Sequence, residues 1–102
     1  MKMYEGPGGR VEMGLLAGLH VTHANGRKQR VPKWLKHRVA EAHYALKARG
    51  IDSHKDGPAK TALWEYVLHT MTFSGNAYAQ TEADTPVSEL IDDILYAVRE
   101  SE

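Results

Sequence analysis

The residues in this chain best suited to chemistry are cations. Arg27, Lys28, Arg30, Lys33, Lys36, His37 and Arg38 lie within twelve residues, and Lys47 follows on the same helical arc. Phosphate binding needs such a density of positive charge, and it makes affinity fall steeply with added salt. Arg27, Lys28, Arg30, Lys33, Lys36, His37 and Lys47 are therefore the candidate nucleic-acid-binding residues. The histidines offer a second chemistry. His20 and His23 stand in an H-x-x-H spacing that His37, His43, His54 or His69 could complete into a metal site. No HExxH or other dense ligand motif accompanies them, so neither a metal nor another cofactor is expected. Ser53, Ser74 and Ser88 each sit near a cap or turn and lack a nucleophile-elbow pattern. Asp92 and Asp93 are adjacent, and helical neighbours point about 100° apart, so they form no facing acid/base pair. The pattern is that of a chain that is not an enzyme.

The basic run must be held by the elements around it. Val31-Pro32 leads into a helix predicted over Pro32–Arg49, with Pro32 in its first turn and Gly50 just past its end. Leu35, Val39, Ala42 and Leu46 make its apolar stripe, and Lys33, Lys36, His37, Tyr44 and Lys47 fall on a different arc. A polar connection, Ile51–Gly57, precedes a second helix over Ala59–Phe73. Ala62, Leu63, Trp64, Tyr66, Val67, Leu68 and Met71 cover more than half of that helix, which marks it as central and leaves mainly Glu65, His69 and Thr72 for solvent. Ser74-Gly75-Asn76 should end it, and 77–84 reads as a loop or weak helical extension. Thr85 as N-cap and Pro86 then open a third helix, with Val87, Leu90, Ile91, Ile94, Leu95 and Val98 on one side and Glu89, Asp92, Asp93 and Glu100 on the other.

The first thirty residues are harder to read. Residues 1–10 contain Gly6-Pro7-Gly8-Gly9 and are expected to be a flexible lead-in to a single domain spanning 11–102. Val11–Val21 fits a short helix or a buried strand, and periodicity does not choose between them. Asn25-Gly26 is a turn signal, consistent with a hairpin of Gly18–Thr22 and Lys28–Val31, although the second strand could instead pair with another chain. The expected fold is mainly α: a three-helix domain with a short N-terminal strand or hairpin.

Composition narrows the classes. The chain has 102 residues, 42% of them hydrophobic and 25% charged, which suits one small globular domain. It has no cysteine, hence no disulfide or thiolate site. No apolar run reaches the roughly 20 residues of a membrane span, and the polar, glycine-rich start is unlike a signal peptide, so a cytoplasmic protein is expected. The zero net charge conceals a split: 12 Lys/Arg against 5 Asp/Glu through Lys60, and 1 against 8 from Thr61 onward. A basic half beside an acidic one suits a nucleic-acid face, or two surfaces that steer association with a protein.

The order strand, proline, helix, glycine, loop, helix in KQRVPKWLKHRV…ARGI…TALWEYVL resembles the ribbon-helix-helix transcription regulators, over Arg27–Leu68. The resemblance implies a homodimer in which the basic strand pairs with its copy and the ribbon enters the DNA major groove. It would place Lys28 and Arg30 on one ribbon face and Val31 toward the core. The N-terminal segment and the third helix lie outside that pattern. The function expected from these features is a small DNA-binding regulator. The alternative is a protein-interaction module or inhibitor, for example a phage-type antagonist of host machinery, acting by covering a partner's surface.

Overall fold

A computed structural model describes residues 1–16, 18–72 and 84–101. Its elements are β1 (Lys2–Gly6), β2 (Gly9–Gly14), β3 (Gly18–His23), β4 (Lys28–Arg30), α1 (Lys33–Ala48), α2 (Pro58–Thr72) and α3 (Val87–Glu100). The strands form one antiparallel sheet in the order β1-β2-β3-β4, each paired with its chain neighbour. The architecture is therefore α+β, and the expectation of a mainly α domain with a short hairpin is overturned by this sheet. The flexible lead-in is corrected with it: residues 1–10 supply all of β1 and the start of β2. Val11–Val21 is neither one helix nor one strand. It is the end of β2, a turn and most of β3.

The sheet is a meander because its turns are short. Gly6 pairs with Gly9 across the β1–β2 turn, and Gly14 with Gly18 across the β2–β3 turn. Gly9 has φ +138°, and a Cβ there would stand 2.3 Å from the Thr22 carbonyl oxygen, so this position needs glycine. Asn25-Gly26 makes the third turn as expected, with Gly26 at φ +90° and the Arg27 amide donating to Asn25 Oδ1 at 2.9 Å. Tyr4, Val11, Leu19 and Val21 point inward and are buried. The alternation places two polar rows on the opposite face, Lys2–Glu12–His20–Arg30 and Glu5–Arg10–Thr22–Lys28.

Helix α2 lies across the inner face and touches β1, β2 and β3, and α3 packs on both α2 and α1. Leu63, Trp64, Val67, Leu68 and Met71 are buried along α2, which is central as its composition predicted. Leu35, Val39, Ala42 and Leu46 of α1 and Leu90, Ile91 and Ile94 of α3 join them in one core. Pro32, not a polar side chain, caps α1, and Pro86 rather than Thr85 caps α3. Thr85 instead presents its carbonyl to Arg38 Nη2. Phe73, Ser74-Gly75-Asn76 and 77–83 fall outside the described residues.

Candidate nucleic-acid interface and adjoining pocket

The helical periodicity of α1 sorts the basic run. Leu35, Arg38, Val39, Ala42 and Leu46 are buried on one side, while Lys33, Lys36, His37, Tyr44 and Lys47 share the exposed side. Glu41 is the single carboxylate of α1. Arg38 belongs to the other side in every respect. Its guanidinium lies 6.0 Å from the Trp34 ring centroid and donates to the Thr85 carbonyl, tying α1 to the start of α3.

The remaining candidates lie on the sheet. Arg27 is in the β3–β4 turn, exposed, and its Nη2 donates to Gln29 Oε1 at 3.2 Å. Lys28 and Arg30 share the open face of β4, and Val31 is buried. Arg30 Nη2 also reaches the Leu16 carbonyl at 3.5 Å, toward the tip of the β2–β3 turn. The structure thus divides the seven candidates into two sets. Arg27, Lys28 and Arg30 belong to β4 and its turn, and Lys33, Lys36, His37 and Lys47 to the outer arc of α1. Val31-Pro32 joins the sets along the chain. β4 is also an edge strand, paired with β3 of its own chain on one side, so a ribbon with a second copy would form on its other edge.

Neighbouring carboxylates temper the open sheet face. Arg10 Nε donates to Glu12 Oε1 at 2.6 Å, and Lys2 to Glu5 at 3.1 Å. The Arg10 guanidinium holds the Glu12 carboxyl below the usual carboxylate range. Lys2 and Arg10 are therefore engaged by carboxylates of the sheet itself.

The histidines divide as the pleat requires. Residues three apart on a strand point to opposite faces, so the H-x-x-H spacing is split by β3 itself. His20 lies on the open face with Nδ1 3.2 Å from the Gly18 carbonyl, whereas His23 is buried with Nε2 2.5 Å from Gln29 Oε1. Among the described residues no cluster of three or more metal-ligating side chains forms.

A different cluster forms where α1 ends. His43 stands on the flank of α1, and the loop after Gly50 folds back over it. The Asp52 carboxylate accepts the His54 amide at 3.0 Å, an Asx turn that presents both Ser53 and His54 toward α1. Ser53 Oγ lies 2.5 Å from His43 Nδ1 and is buried, at 2% exposure. The His54 ring stacks on His43 with centroids 3.9 Å apart and planes 12° from parallel. Trp64 meets the His43 ring edge-on at 6.0 Å. Burial foremost, and then the neighbouring His54, push the His43 pKa down to about 4, so its imidazole is neutral at pH 7. His43, Asp52, Ser53 and His54 line an open concavity of about 580 Å³ with Tyr44 and Lys47 on its rim.

This cluster has no signature along the chain. Ser53 looked like a turn residue and His43 and His54 like separate histidines, because only the reversal at Asp52 brings them together. Glu65 has no such signature either. Assigned to solvent by its place on α2, it accepts the Tyr4 hydroxyl at 2.5 Å and the Gly8 amide at 3.1 Å, fastening the first hairpin to α2.

No protein-family model matches the chain, and no curated protein or solved structure matches it either. No helix among the described residues is long and apolar enough to cross a membrane.

Proposed function

We propose that this chain is a small, non-enzymatic regulator that binds nucleic acid through the outer arc of α1, with β4 adding further phosphate contacts. The observation that carries this reading is the arc itself: Lys33, Lys36, His37 and Lys47 lie exposed on one side of a helix that has a single carboxylate. Tyr44, 80% exposed among them, supplies an aromatic surface for a base or sugar. The three lysines of the arc alone contribute about −2.7 to the duplex binding slope, so affinity falls at least roughly 40-fold between 50 and 200 mM salt. Fluorescence anisotropy with a labelled mixed-sequence duplex tests this. A Lys33→Ala/Lys36→Ala double variant should flatten the slope by about 2 with unchanged melting. A slope equal to that of the native chain refutes the assignment.

A second reading is supported by a separate feature. Leu15 and Leu16, at the tip of the β2–β3 turn, are 101% and 93% exposed. Exposed apolar side chains of this kind suit the groove of a protein partner, and the acidic side of α3 offers a second, oppositely charged surface. In that case a Leu15→Ser/Leu16→Ser variant abolishes a salt-resistant protein complex and leaves nucleic-acid binding unchanged.

A further inference from the structure

We infer that the concavity at the end of α1 holds an unpaired nucleobase, so that the chain prefers single strands to blunt duplex. This rests on the nucleic-acid reading above and narrows it. The basis is a ladder of rings running from the core to the surface. Trp64, 3% exposed, abuts His43, and His43 carries His54 stacked upon it. His43 is anchored by Ser53, and His54 by the turn at Asp52, so the ladder is fixed before any ligand arrives. One face of the His54 imidazole is covered by His43, while the residue as a whole is exposed. A stacked pair that ends at the surface is a platform on which a third planar ring continues the stack. Base stacking on such platforms is tolerant of sequence.

The concavity is also continuous with the α1 arc. Tyr44 and Lys47 belong to both, so a strand whose phosphates follow Lys33, Lys36 and Lys47 delivers its next nucleotide to the His54 ring. Lys47 on the rim is placed for the phosphate, and Asp52 for the amino edge of a base. The 580 Å³ of open space admits a single base with its sugar. A base inside a duplex cannot enter, because its faces are already stacked on its neighbours.

The test uses the full chain with a ten-nucleotide single strand carrying one 2-aminopurine, the blunt duplex of the same sequence, and free AMP as competitor. The native chain should bind the single strand about tenfold more tightly than the duplex at equal salt, with a change in 2-aminopurine emission at saturation. His54→Ala, a change at an exposed residue, should remove about tenfold of single-strand affinity and the emission change, while duplex affinity stays within twofold. Tyr44→Ala should weaken single-strand binding in the same direction. Equal affinity for strand and duplex, or an unaltered single-strand affinity in His54→Ala, overturns the pocket and leaves the basic arc standing. Failure to bind either polymer overturns both. Displacement of the strand by micromolar AMP overturns the strand as occupant, since a mononucleotide would then suffice.

Discussion

Lowering the pH should destabilise this protein through His43 well before its surface carboxylates explain the loss. The imidazole has a pKa of about 4 in the folded chain against 6.5 ordinarily, because burial and the stacked His54 oppose its charge. Between those values the unfolded chain binds the proton and the folded chain does not. The stabilisation is complete above about pH 6.5, declines as pH falls, and is gone below about pH 4. The full shift would correspond to about 3 kcal/mol, and because water screens the half-buried ring, about 1–2 kcal/mol should be lost between pH 7 and pH 4. With a urea slope of roughly 1–2 kcal/mol/M, the midpoint should fall by on the order of 1 M. The assay is urea unfolding followed by tryptophan emission and far-UV circular dichroism at half-unit pH intervals, for the native chain and for His43→Asn. Asparagine lacks a titrating group and places an amide near the Nδ1 position. The variant starts less stable, having lost the ring stack, so the slope with pH rather than the baseline decides. A His43→Asn profile running parallel to the native one would refute a half-buried, neutral His43.

Two further outcomes test the frame around the site. Burial first, and then the Glu65 hydrogen bond and charge, raise the Tyr4 hydroxyl to about 12. Absorbance titration should show Tyr4 ionising late, with about 1–2 kcal/mol of stability, present below pH 10, lost as pH rises through 12; Tyr4→Phe should abolish both effects. Leu63 is fully buried at the centre of α2, so Leu63→Ala should cost roughly 2–4 kcal/mol in urea unfolding, and an unchanged midpoint would mean that the core lies elsewhere.

The helices and the β3–β4 hairpin were legible and the β1–β2 half of the sheet was not, for reasons visible in individual residues. Pro32, Gly50, Pro58 and Pro86 punctuate the helical half, and Leu35–Val39–Ala42–Leu46 repeats often enough to declare a period. β1 and β2 each bury a single side chain, Tyr4 and Val11. One inward residue per strand shows no alternation, so the glycines between them read as a flexible run. The apolar stretch Leu15-Leu16 misled in the opposite direction: it is the exposed turn between two strands, where sequence suggests burial. Within the site, the exposed arc of α1 follows from helical spacing alone. The His43–Ser53–His54 cluster does not, because the loop that closes it is specified by the Asp52 turn and by Trp64 beneath, an element away.

The meander also dictates how long the chain carries an uncovered apolar surface while it is being made. All four strands pair with chain neighbours, so the sheet can close as soon as Arg30 has emerged. Val11, Leu19 and Val21 must then wait for α2, whose last residue Thr72 follows roughly 40 residues later, about 2–8 s at ordinary rates of synthesis. Throughout that interval one side of the nascent sheet is already finished, with Lys2, Glu5, Arg10 and Lys28 facing water. The other side is an adhesive surface awaiting its cover.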